Sequence, residues 1–71
     1  MTLTKQFTNS SQVKQIDYKP EEKILEVIFL TGKKYQYLDV PQELWLKALE
    51  AESIGKFLNS EVKGKFTYKQ I

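Results

Sequence analysis

Tyr35-Gln36-Tyr37 sets two phenol rings two residues apart, and in an extended strand such residues share one face about 7 Å apart. Rings placed this way can form a stacking platform for nucleobases. They can equally pack beneath a helix, so the tripeptide alone leaves both uses open. A second constellation is Ser53-Ile54-Gly55-Lys56-Phe57-Leu58-Asn59, which joins a helix-capping hydroxyl, a glycine that admits close approach, a lysine and an amide. The backbone N–H groups of a helix start, together with Lys56, suit an anion or phosphate. An ordinary N-cap with Gly55 packed against a sheet explains the same residues. Beyond Asn59, the Lys63-Gly64-Lys65 stretch can meet phosphates and polar edges.

Other chemistry is excluded by composition. Histidine and cysteine are both absent. The commonest general base and metal ligand are therefore missing, as are nucleophile triads in their usual forms, thiolate zinc sites and disulfides. Glu21, Glu22, Glu43, Glu50 and Glu52 fall at turn or helix-surface positions and read as a solvated face, not a carboxylate dyad. Gly32, Gly55 and Gly64 are too widely separated to build a phosphate loop. The expectation is a binding protein that is not an enzyme and has no metal site and no cofactor.

The chain has 71 residues, 41% hydrophobic and 28% charged, which bounds it to one small domain with a genuine but limited core. The longest nearly apolar run, Ile24 to Leu30, is interrupted by Glu26 and too short to span a bilayer. A cytoplasmic protein without membrane contact is expected. The net charge of +2 is too small to identify a nucleic-acid binder by itself, and all eleven positive residues are lysine. Bidentate guanidinium readout of duplex bases is thus unavailable. Positive charge gathers at the C-terminal end, where Lys56, Lys63, Lys65 and Lys69 face only Glu61.

The elements that must position these residues follow from local patterning. Residues 1–10 are polar apart from Leu3 and Phe7 and read as a flexible or edge-lying arm ahead of a domain over 11–71. Val13, Ile16 and Tyr18 mark a first strand whose change of apolar parity implies a bulge. Leu25, Val27 and Phe29 define the strongest strand, expected to be central, with Ile24, Ile28 and Leu30 on its other face. Thr31-Gly32-Lys33 makes a hairpin turn into a third strand, Lys34 to Asp39. After Val40-Pro41, the residues Leu44, Trp45, Ala48, Leu49 and Ala51 give one helix an apolar face. Ser53 caps a second helix carrying Ile54, Phe57, Leu58 and Val62, which Gly64 ends. Phe66 and Tyr68 alternate enough to add a short strand or dock on the core. The expected fold is α+β, a three-stranded antiparallel meander followed by two short helices, with a possible short C-terminal strand.

Taken in order, Val13-x-x-Ile16-x-Tyr18, Leu25-x-Val27-x-Phe29, Gly32-x-x-Tyr35-x-Tyr37-x-x-Val40-Pro41 and Ser53-x-Gly55-x-Phe57-x-Asn59 resemble the KTSC domain over about Ser11 to Tyr68. That module is named for its occurrence at the C-terminus of some lysyl-tRNA synthetases, and it also occurs alone in bacterial and phage proteins. The resemblance implies a non-catalytic, RNA-binding module with the tyrosine pair, here Tyr35 and Tyr37, as its hallmark. Low net charge and the lack of arginine depart from a strong RNA binder and favour a compact nucleotide. The expected function is therefore recognition of single-stranded RNA or of a small signalling nucleotide sequestered by a stand-alone module. The expected site is Tyr35, Tyr37, Ser53, Gly55, Lys56, Asn59, Lys63 and Lys65. A protein-interaction or assembly domain is the alternative. A chain this short has little room for an enclosed pocket, so a homo-oligomer with sites near its subunit contacts is expected as well.

Overall fold

The structure, a computed structural model, describes residues 1–8 and 10–71. Its centre is an antiparallel sheet in which every strand pairs with its sequence neighbour, in the order β1 Leu3–Gln6, β2 Val13–Lys19, β3 Ile24–Phe29, β4 Lys34–Tyr37 and β5 Tyr68–Gln70. Helix α1, Gln42–Glu50, and helix α2, Ile54–Phe57, lie between β4 and β5 in the chain. Helix α2 runs directly into a π-helical segment, Leu58–Val62.

The α+β class holds, and the sheet has five strands where three and a possible short C-terminal one are expected: β5 is that C-terminal strand, and β1 is the addition. Both lie at the edges of the sheet. Within the arm expected over residues 1–10, Leu3–Gln6 pairs with β2, with Leu3 opposite Tyr18. Its remaining residues are exposed, so backbone pairing, not side-chain burial, defines it. Asn9 lies outside the described residues. On the other edge β5 is exposed throughout and is held by its register with β4, flanked by hydrogen bonds from Leu38 N to Thr67 O and from Ile71 N to Lys34 O.

Strand β3 is central, as its pattern requires. Leu25 and Val27 are fully buried, Phe29 is half-buried, and on the opposite face Ile24 and Ile28 are half-buried while Leu30 is exposed. The parity change in β2 corresponds to a register irregularity between Val13 and Gln15, which lets Val13, Ile16 and Tyr18 all reach the core. Gly32 takes φ +92 in the β3–β4 turn, a conformation costly for any residue with a Cβ.

Pro41 stands at the N-cap of α1 with extended geometry, and Leu44, Trp45 and Ala48 turn inward. Leu49, expected on the buried face, is more than one-third exposed, because the helix stops at Glu50 and the chain leaves in extended form at Ala51. The second helix starts at the Ser53 cap as expected, with Lys56 N donating to Ser53 Oγ at 3.4 Å. It then widens: Lys63 N donates to Leu58 O at 2.7 Å, a five-residue closure. Ile54, Leu58 and Val62 remain buried through the change of pitch. Among the described residues no charged or polar side chain is buried, and no helix is long and apolar enough to cross a membrane.

Candidate ligand-binding cleft

Strand pairing builds the aromatic wall of the site. Tyr35 and Tyr37 share the helix-covered face of β4, and the β4–β5 register sets Tyr68 directly opposite Tyr37 and diagonal to Tyr35. Phe29 joins from β3. Phe29 meets Tyr35 edge-on at 5.5 Å between ring centroids, Tyr35 meets Tyr68 at 5.7 Å, and Tyr68 tilts against Tyr37 at 5.5 Å. These are favourable edge and offset geometries that fix the rings against one another.

The three tyrosines differ in what they can offer a ligand. Tyr37 is only 7% exposed and belongs to the core, Tyr35 is half-buried, and Tyr68 is 55% exposed. Tyr37 is thus the fixed base of the ladder and Tyr68 its open ring. Burial pushes the Tyr37 phenol above its ordinary pKa, and the neighbouring Tyr68 and Tyr35 phenols add to that rise. The Tyr37 phenol is therefore held in its neutral form, able both to donate and to accept hydrogen bonds.

In front of this wall lies a cleft of about 380 Å3, within the size range of small-molecule sites. Its opposite side is the helix, contributing Gly55, Leu58, Asn59 and Lys63, and its rim includes Lys33 from the β3–β4 turn. Two lysines and no carboxylate line it among the described residues. The asymmetry favours an anionic ligand.

Of the residues expected to bind, Tyr35, Tyr37, Gly55, Asn59 and Lys63 meet in this cleft. Ser53 and Lys56 do not; they line a second groove on the other side of the helix, which Gly55 and Asn59 also border. The Ser53 hydroxyl is engaged as the helix cap. Lys65 lines neither groove, and its ammonium lies 3.9 Å from the Glu61 carboxylate on the exposed helix surface. Gly55 permits a close approach: a Cβ there would lie 3.3 Å from Gln12 Oε1. Tyr68, Lys33 and Gln12 were not among the expected site residues. For Tyr68 the signal was the alternation with Phe66, but its role depends on pairing with β4 across the whole helical region. Among the described residues no cluster of acids could hold a metal ion.

A family model for the KTSC domain matches residues 9–66. The chain is 42% identical over 57 residues to a protein of Tsukamurella paurometabola, covering 80% of this chain and 85% of that protein. It is 43% identical over 54 residues to an uncharacterized protein of Stutzerimonas stutzeri, covering 76% of each. A lysine–tRNA ligase of Nostoc punctiforme matches 86% of this chain at 33% identity, but that match spans only 11% of the ligase. The crystal structure of a KTSC domain protein from Yersinia pestis superposes with a TM-score of 0.89 at 33% identity, covering 100% of this chain and 99% of that one.

Proposed function

The chain belongs to the KTSC domain family, and from that premise we propose that it is a non-catalytic module that binds a nucleotide, held by its base and its phosphate in the tyrosine cleft. The observation that carries the reading is the pairing of an open aromatic ring, Tyr68, with Lys33 and Lys63 around a cleft free of carboxylates among the described residues. Stacking on an aromatic ring holds any base, and two lysines match the charge of one or two phosphates. Asn59 offers the donor and acceptor of an amide to the polar edge of a base. The ligand is either a small signalling nucleotide or an unpaired nucleotide of single-stranded RNA. The occurrence of a related segment within a protein named a lysine–tRNA ligase is consistent with RNA.

Calorimetric titration with adenosine and uridine 5′-monophosphates, their nucleosides and inorganic phosphate tests the reading. The nucleotide should bind more tightly than either of its parts, and affinity should fall as salt rises. Equal weak binding of phosphate and nucleotide would remove the base from the account, and no binding of any probe would remove the function.

A second reading, association with another protein chain, is favoured by one observation: Leu30 and Leu46 are more than half exposed and Leu49 more than one-third. The homo-oligomer with nucleotide sites near its subunit contacts belongs to the first reading. Light scattering that gives a rising mass with concentration and is insensitive to salt would support the second.

A further inference from the structure

The tyrosine cleft does not end at the helix. A second groove of about 590 Å3 lies beside it, and Gln12, Gly55 and Asn59 line both. Gly55 and Asn59 stand four residues apart on the helical segment, and Gln12 reaches them from the loop before β2. Together they form the ridge between the grooves. Gly55 brings no side chain of its own, and the Gln12 amide lies over it, with Oε1 3.3 Å from where a Cβ would stand.

The second groove repeats the chemical inventory of the first. It has an aromatic ring, half-buried Phe7, two lysines, Lys5 and Lys56, and the hydroxyl-bearing Ser11. Glu52 is its only acid among the described residues. Across both grooves four lysines therefore face one carboxylate, and each side of the ridge holds its own ring. One nucleotide can use only one such set. Two nucleotides joined by a phosphodiester use both, with the linkage over the Asn59 amide.

We propose that the ligand is a phosphodiester-linked chain of at least two nucleotides, lying across the Gln12–Gly55–Asn59 ridge with one base at Tyr68 and the next at Phe7. The proposal rests on the nucleotide reading of the tyrosine cleft and extends it from one residue of ligand to two. The linked chemistry has two sources, a single strand of RNA or a small dinucleotide. In both, the second base binds without a second loss of free translation, so affinity rises with linkage.

The test uses the intact protein and four probes: adenosine 5′-monophosphate, linear ApA, cyclic di-AMP and hexa-adenylate, each titrated by calorimetry. Linear ApA should bind about 10- to 100-fold more tightly than the mononucleotide. The exposed pair Lys5→Ala/Lys56→Ala, chosen because neither side chain supports the core, should abolish that gain and leave the mononucleotide unchanged. Phe7→Ala should act in the same direction. Tighter binding of hexa-adenylate than of either dinucleotide assigns the site to RNA, and a dinucleotide that matches or exceeds the hexamer assigns it to the small ligand; both support the proposal. Equal affinity of mononucleotide and all longer probes, or a loss in the lysine variant that falls equally on the mononucleotide, overturns it while leaving the single-nucleotide reading standing. Binding of none of the probes overturns both.

Discussion

The Tyr18 hydroxyl donates a 2.6 Å hydrogen bond to the Val40 carbonyl, and both residues are buried. This bond ties β2 to the segment between β4 and α1, and the Tyr18 ring stacks on Trp45 of that helix with centroids 5.8 Å apart. It also supplies the Val40 carbonyl with a partner. Tyr18→Phe keeps the ring and strips the carbonyl of that partner, so it should cost about 1–3 kcal/mol. Thermal unfolding of the variant should shift down by several degrees, and an unchanged transition would show that the carbonyl finds another donor.

Burial grades the cost of truncating the sheet. Leu25 is fully enclosed, whereas Phe29 is half-buried at the edge of the cleft. Leu25→Ala should cost about 2–5 kcal/mol. Phe29→Ala should fall below the range of about 3–5 kcal/mol usual for a fully buried phenylalanine, since its ring is already partly hydrated. Urea unfolding of the two variants measures the difference.

Alkaline pH should loosen the fold. Burial raises the Tyr18 phenol above its ordinary value; burial first, then the Tyr68 and Tyr35 phenols, raises Tyr37. In the unfolded chain these groups ionise near pH ~10, while the folded chain still holds them neutral. The unfolded state then binds fewer protons, so stability is complete below about pH 10 and declines as pH rises through the folded values. Urea midpoints followed into that range should fall, and Tyr37→Phe, which keeps the ring but cannot ionise, should fall less steeply.

Much of this architecture can be read from local pattern. Leu25-x-Val27-x-Phe29 marks the central strand because burial on one face imposes a period of two, and the altered spacing from Val13 to Ile16 marks the irregularity in β2. Gly32 marks the turn, where φ is +92. The edge strands are less visible, since Leu3–Gln6 and Tyr68–Gln70 are placed by backbone pairing with neighbours and bury almost nothing themselves. The same reason hides part of the site. Tyr35 and Tyr37 are conspicuous as a pair, but their contribution is divided by Tyr68, which meets Tyr37 from 31 positions further along the chain. Ser53 and Lys56 read as partners of the tyrosines, yet the turn of the helix carries them to its far side; of the helical residues Gly55 and Asn59 touch both grooves, as does Gln12 from the loop before β2.

That division makes the tyrosines separable by experiment. Tyr37 is core and Tyr68 is open, so removing each ring should affect a different property. Tyr37→Ala leaves a cavity behind β4 and should destabilise the fold by about 3–5 kcal/mol, the range for losing a buried aromatic ring. Tyr68→Ala removes an exposed ring from an edge strand and should cost stability little, within about 1 kcal/mol, because little of its surface is withdrawn from water. Its effect should appear in binding, where losing a stacking ring costs about 1–3 kcal/mol, roughly one to two decades in affinity. Tyr68→Phe keeps the stacking face and should restore most of that loss, while the phenol's hydrogen bond accounts for the remainder. Calorimetric affinity for a mononucleotide, measured beside the melting temperature of each variant, separates the two effects. A Tyr68→Ala protein that binds as tightly as the parent would show that the base does not stack on this ring.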